Sequence, residues 1–474
     1  MTEKINTDIC IVGAGSGGLS VAAGAAQMGA DVVLLERGEM GGDCLNYGCV
    51  PSKALIAAGH AAHQMRHVSR FGISDVEPVV DWSGVRDHVN GVVETIAHHD
   101  SQERFEGFGV RVIRQAGTFT GRRTVRAGEM EITARRFVVA TGSSPVVPPI
   151  DGLADTPFFT NETIFENSEK IDHLIVVGGG PIGLELAQAA YRLGARVTVL
   201  EAMKALANDD PDLAAVVKER LSAEGLDLRE GAFVKSVSGT AGNVSVVAEI
   251  DGSQTNFSGS HLLIAIGRSP NLAGLGLEEA GIKTGRGGIL VDDRLRTTNR
   301  RVFAIGDVAE GFKFTHAAGY QAGIVIRNVL FRMPAKVDYR AFPWVTYTSP
   351  ELAQIGMTEK AAREKFGDIK VITAPFFEND RAQAERETHG MLKVVTSKSG
   401  VILGAGMVGE KAGEVIQSWA LPIAKKMKMK DIAGLILPYP TLGEINKRAA
   451  GAYFTPALFS DRTKKIVRFL LRFG

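Results

Sequence analysis

Cysteine is scarce: only Cys10, Cys44 and Cys49 occur in a chain of 474 residues. That excludes the disulfide framework on which small secreted domains depend. It also excludes a tetrahedral zinc site, because neither a second cysteine pair nor a nearby histidine pair completes one, and no metal site is expected. Excess charge is missing too. Lys+Arg number 54 and Asp+Glu 53, a net of +1, so no global field exists to hold nucleic acid or an anionic membrane. No apolar run reaches the ~18 residues of a membrane span. The start, Met1 to Thr7, has neither the basic segment nor the small-residue cleavage site of a signal peptide, so a cytoplasmic protein is expected. What remains is an ordinary globular composition, 45% hydrophobic and 23% charged. At roughly 100–200 residues per domain, the length suggests about three domains.

Two segments copy one another. Ile9 to Glu36 carries Gly13-Ala14-Gly15-Ser16-Gly17-Gly18, and Leu174 to Glu201 carries Gly178-Gly179-Gly180-Pro181-Ile182-Gly183. Each copy closes on Met/Leu-Gly-Ala, an apolar strand and a glutamate, and every equivalent lies 165 residues on, without a gap. The period is too long for a solenoid and describes two domains of one kind. Each copy reads as a short buried parallel strand, a glycine turn, an alanine-rich helix and a second strand. In this pattern the first glycine permits the turn, the second lets backbone approach a pyrophosphate, and the third lets helix and strand pack closely. The phosphates sit on the helix amino terminus. Glu36 and Glu201 end the second strands, where a carboxylate accepts ribose hydroxyls. One such cluster is weak evidence; two in register point to two dinucleotide sites, held by Gly13, Gly15, Gly18 and Glu36 in one and Gly178, Gly180, Gly183 and Glu201 in the other.

Cys44 and Cys49 follow the first copy directly, in Gly41-Gly42-Asp43-Cys44-Leu45-Asn46-Tyr47-Gly48-Cys49-Val50-Pro51-Ser52-Lys53. Four residues separate them, close enough for a disulfide if the backbone bends, and a close pair in such a chain reads as redox chemistry. Cys10 falls in the first strand and is expected to be buried and inert. Three further motifs stand out: Ala140-Thr141-Gly142, Ala265-Ile266-Gly267-Arg268-Ser269-Pro270-Asn271 and Val302-Phe303-Ala304-Ile305-Gly306-Asp307.

With these motifs the whole chain resembles the pyridine nucleotide-disulfide oxidoreductases, the group of lipoamide dehydrogenase, glutathione reductase and mercuric reductase. The resemblance implies an α/β fold: two Rossmann-like dinucleotide-binding domains and a carboxy-terminal α+β dimerisation domain. It divides the chain into an FAD-binding domain of residues 1–150 and 271–337, an NAD-binding domain of 151–270, and an interface domain of 338–474. It implies that Cys49 lies against the flavin, that Cys44 is the interchange thiol, and that Lys53 sits near the flavin and pairs with Glu185. Gly42, Thr141, Gly142, Asp307, Gly267 and Arg268 join the cofactor-binding set. The implied activity is transfer of electrons from a nicotinamide through FAD to a small disulfide or metal-ion acceptor, by a homodimer. Glu201 repels a 2′-phosphate and Lys204 is the only cation in Ala202 to Ala207, so NADH is expected over NADPH.

The chain departs from the resemblance in two places. Disulfide reductases of this group carry a His-Pro-Thr-x-x-Glu pattern whose histidine acts from the partner subunit; here Tyr439-Pro440-Thr441-Leu442-Gly443-Glu444 stands instead. Free histidine titrates near 6.5 and tyrosine near 10, so poor lipoamide and glutathione reductase activity is expected. Mercuric reductases also place tyrosine here, yet no cysteine follows Cys49 to relay metal. A weakly catalytic redox sensor or partner subunit, and a nicotinamide transhydrogenase, are the competing readings; the intact cysteine pair counts against the last. The second departure is the tail, Ser460 to Gly474, which reads as a basic amphipathic helix. Packing on its own domain with a solvated basic face is the ordinary expectation, and docking to a membrane surface or partner is the functional one. His60, His63, His67, His98 and His99 lack acidic companions and are expected to be surface or interface residues.

Overall fold

The computed structural model describes residues 3–473. A parallel sheet opens the fold, in the order Val110–Ile113, Val32–Leu35, Glu3–Val12, Met130–Val139 and Val302–Ala304. The last strand returns to this sheet after the second glycine motif has been completed elsewhere. Such strands are covered on both faces by helices and must be apolar throughout; Val32–Leu35 is buried at every residue, and so is Cys10, whose thiol burial pushes well above its usual range.

The second unit repeats the plan with Asp227–Glu230, Arg196–Glu201, His173–Val177 and His261–Ile264, all parallel, beside a three-stranded antiparallel sheet. The copies match in detail. Gly13 and Gly178 take φ of 108° and 116°, and a side chain on either would overlap a carbonyl, that of Ala140 in the first copy and of Ala265 in the second. Exit and return are joined: Ser143–Pro145 pairs antiparallel with Arg268–Pro270.

The carboxy-terminal part is an antiparallel sheet in the order Pro343–Thr346, Glu351–Gly356, Ile402–Gly409, Met391–Ser397, Ile369–Pro375. Helix Glu444–Leu458 buries Ile445, Ala449 and Ala450 against it. The tail does form a helix, Asp461–Leu470, capped by the Ser460 hydroxyl. The expectation that it packs on its own domain is corrected: no residue of that helix is buried. Its apolar side chains, including Phe469 and Leu470, face outward with Arg462, Lys464, Lys465 and Arg468.

Candidate active site

A cleft of about 900 Å³ runs between the two nucleotide units and the carboxy-terminal sheet. Gly15, Ser16 and Gly17 line one end, and the Cys44–Lys53 segment, Glu185, Arg268, Asp307 and Thr315 line the rest. The cysteine segment reaches it because the backbones of Gly15 and Gly41 bridge. A side chain on Gly42 would press into the Gly15 backbone, so glycine at position 42 sets how closely the two segments approach.

Cys44 lies in the short helix Gly42–Asn46, and Cys49 begins the helix Cys49–Met65. Both are free thiols, hydrogen-bonded to each other. The Cys44 hydrogen bond, the Thr315 hydroxyl 3.3 Å away and the charge of Lys53 together outweigh burial and lower the Cys49 thiol to about 6. The Cys44 thiol moves upward, through the same hydrogen bond and through burial. One proton is thus shared unequally: Cys49 is the thiolate and Cys44 keeps its hydrogen.

Lys53 Nζ meets Glu185 Oε2 at 2.7 Å, and the glutamate side chain is 7% exposed. Its other oxygen accepts from the Tyr347 amide at 2.8 Å, and Lys53 Nζ stands 4.4 Å from the centre of the Tyr347 ring. A buried carboxylate stays charged only with such partners. Behind Tyr347, burial first, then the charges of Glu410, Glu414 and Glu185, push Glu351 up to about 7, against a hydrogen bond from the Gly413 amide.

Arg268 bonds Asp43 Oδ1 at 2.8 Å, Ser143 Oγ at 2.8 Å and the Ser143 carbonyl at 2.7 Å. Asp307 accepts from Ser143 Oγ at 2.7 Å, and burial raises its carboxyl. Thr141 and Asn271 exchange two hydrogen bonds of 2.9 Å each, which fixes Gly142 beside them. Glu36 accepts from the amides of Ala14 at 2.6 Å and Gly38 at 2.7 Å. Glu201 does the same with Gly179 at 2.6 Å and Met203 at 2.8 Å. Lys204, the cation nearest Glu201 in sequence, is held by Glu230 at 2.9 Å.

Tyr439 and Glu444 do not line the cleft of their own chain. Tyr439 is 70% exposed and donates to Asp380 Oδ2 at 2.9 Å, a bond that raises its hydroxyl pKa. Glu444 accepts from the Thr441 amide at 3.4 Å. Among the described residues no group of three histidines, cysteines or carboxylates forms a metal site. Sequence reasoning missed Asp43, Ser143, Asn161, Thr315 and Tyr347. Asp43, inside the cysteine motif, and Ser143, adjacent to Gly142, carried a local signal; the others arrive from distant segments.

The cleft suits a flavin dinucleotide. Its phosphate end is bare backbone at Gly15, where no atom lies within van der Waals reach of an added side chain except Gly42 Cα at 3.9 Å. Its other end offers Lys53, Asp307 and the thiolate. Two nucleotide folds converging on a dithiol define a two-electron redox protein of the dinucleotide class. A family model for pyridine nucleotide-disulphide oxidoreductases matches residues 7–322, and the dimerisation-domain model of that family matches residues 342–450. The chain belongs to this family, in which FAD is the cofactor and a pyridine nucleotide a substrate, and the dimerisation domain makes it a homodimer. It is 34% identical over 446 residues to a mercuric reductase of Staphylococcus aureus, covering 94% of this chain and 82% of the relative. It is 36% identical to a dihydrolipoyl dehydrogenase of Geobacillus stearothermophilus, covering 94% and 96%. The Cu(II) complex of the HOCl-induced flavoprotein disulfide reductase RclA from Escherichia coli superposes with a TM-score of 0.83, at 30% identity, over 93% of this chain and 99% of that one.

Proposed function

We propose that the chain is a reductase that delivers nicotinamide electrons to a disulfide or metal-ion acceptor at the Cys44–Cys49 pair. FAD, when bound in the cleft, supplies the two-electron relay between nicotinamide and sulfur. The carrying observation is the unequal pair of thiols. Cys49 is held as a thiolate by hydrogen bonds from Cys44 and Thr315 and by Lys53. Cys44 retains its proton and is the sulfur that meets the acceptor. Glu185 keeps Lys53 in place, and the Tyr347 amide keeps Glu185 in place. Gly13, Gly15, Gly18 and Glu36 hold the flavin nucleotide in this reading, and Gly178, Gly180, Gly183 and Glu201 the nicotinamide nucleotide. NADH is favoured, because the Glu201 carboxylate stands beside the glycine turn, with one oxygen on the Gly179 amide and the other on the Met203 amide, and Lys204 is occupied by Glu230. Tyr439 and Glu444 act, if at all, across the dimer, since neither faces its own cleft.

Mercuric reductase among the relatives and the copper complex of RclA favour a metal ion; the dihydrolipoyl dehydrogenase favours a disulfide. The test is anaerobic reduction by NADH or NADPH, then mixing with lipoamide, glutathione disulfide, mercuric ion or cupric ion while the flavin spectrum is followed. Reoxidation by at least one acceptor, faster in wild type than in Cys44→Ser, is expected. Reoxidation by none of them would overturn the proposal.

A further inference from the structure

The opposite end of the first sheet carries a second cleft, of about 730 Å³, that the redox chemistry does not use. It opens beside Asp8 and Ile9, midway along strand Glu3–Val12, with Asp8 about 16 Å from the Gly13 turn at strand spacing. Six arginines line it: Arg135 and Arg136 from the central strand, Arg294, Arg296 and Arg300 from the loop before Val302–Ala304, and Arg332 after helix Thr315–Val329. Asp8 is the one carboxylate in the lining, and it is taken by Arg135 at 2.9 Å. Arg296 is taken by Asp292 at 2.6 Å. Arg136 donates only to the Arg135 carbonyl, at 2.8 Å. Among the described residues the guanidinium groups of Arg294, Arg300 and Arg332 make no hydrogen bond or ion pair, nor does that of neighbouring Arg301.

Helices Ser16–Gln27 and Thr315–Val329 both end here, and a helix carboxy terminus attracts cations. None of these guanidiniums donates to a terminal carbonyl, so their bonding capacity is not used up by the helix ends. Like charges gathered in a concave, partly desolvated space repel, and Arg136 registers it: burial first, then Arg301, Arg135 and Arg332, lower its pKa. Arg332 is also held at φ 54°, a conformation seldom taken by a residue with a side chain. The rim adds apolar surface from Met28, Phe331 and Met333, each at least half exposed.

We infer that this cleft binds an oligophosphate group, its charges met by Arg136, Arg294, Arg300 and Arg332 and its apolar remainder resting on Met28, Phe331 and Met333. Planar guanidiniums bond phosphate oxygens in pairs, and several at once match a di- or triphosphate better than a single carboxylate. The ligand is either a free oligophosphate compound or a lipid headgroup that carries two phosphates.

Inorganic tripolyphosphate titrated calorimetrically into the flavin-loaded dimer reads the first source, and flotation with cardiolipin-containing vesicles reads the second. The comparison is the double variant Arg300→Ser/Arg332→Ser, at two surface-reaching positions where folding is readily checked by flavin content and melting. Saturable binding in either arm, weakened about tenfold or more in the variant and falling with salt, upholds the site and says which source supplies the phosphate. Absence of binding in both arms, or binding that the double variant retains, overturns it.

Discussion

Arg268 closes on Asp43 at 2.8 Å. This bond ties the residue before Cys44 to the first residue of the strand that returns from the second nucleotide unit. The guanidinium also holds Ser143, which in turn donates to Asp307. Arg268 also donates to Asn161 Oδ1 at 3.2 Å, so replacing it by Ala leaves the buried Ser143 and Asn161 without this donor. The cost is about 1–3 kcal/mol, and flavin is released at a lower temperature. Fluorescence of freed flavin during heating measures this; an unchanged release temperature would remove Arg268 from the account.

Cys49 titrates near 6 through its hydrogen bonds and the charge of Lys53. Its alkylation by iodoacetamide under reducing conditions therefore persists down to about pH 6, where an ordinary thiol has become unreactive. Thr315→Val removes one hydrogen bond to the thiolate and moves the midpoint upward. Mass spectrometry of Cys49 after brief exposure across pH reads both curves.

Tyr439, held by Asp380 and raised in pKa by that bond, is a poor base at neutral pH. A positioned general base contributes about 10²–10⁴ in rate. Tyr439→His is expected to raise lipoamide turnover by at least tenfold while NADH reduction of the flavin is unchanged. No gain in steady-state lipoamide rate would argue that residue 439 does not reach a dithiol at all.

Glu351 holds its proton to about pH 7 in the fold, whereas a free glutamate loses it near 4.3. The folded state therefore binds the extra proton between those values, and stability falls as pH rises through that window. Glu351→Gln, which keeps a neutral acceptor for the Gly413 amide, removes the loss. It should stabilise the protein at pH 8, by about 3–4 kcal/mol at most, and leave it unchanged near pH 4. Melting temperatures at the two pH values decide it.

The tail presents Phe469, Leu470, Leu471 and Phe473 beside five basic residues and one acid, Asp461. If this face meets an anionic bilayer, truncation after Ser460 reduces pelleting with phosphatidylglycerol vesicles several-fold. Identical pelleting would end the membrane reading.

Much of this was legible in the chain because it depends on local chemistry. The glycine turns, the closing Glu36 and Glu201, and the strand runs between them are short-range signals, and the structure places both copies in one plan. The Lys53–Glu185 bond, which joins helices 132 residues apart, came from resemblance, since no spacing rule connects them. Thr315 and Tyr347 escaped notice because a threonine at a helix start and a tyrosine at a strand end are common anywhere. The tail went the other way: its pattern read as a helix, but amphipathicity states only that one face prefers to be dry, and does not say against what.

The paired turns at Gly13 and Gly178 have one more consequence. Both press against the carbonyl of an alanine opening an Ala-x-Gly return, but the first copy travels from Gly13 to Ala140 to reach it, and the second only from Gly178 to Ala265. The extra length of the first copy includes both cysteines and the helix that Cys49 begins. The two copies thus differ in cargo and share a chassis. Reactivity is confined to a detour from one of them, so that detour can diverge toward new acceptors without disturbing how either nucleotide is gripped.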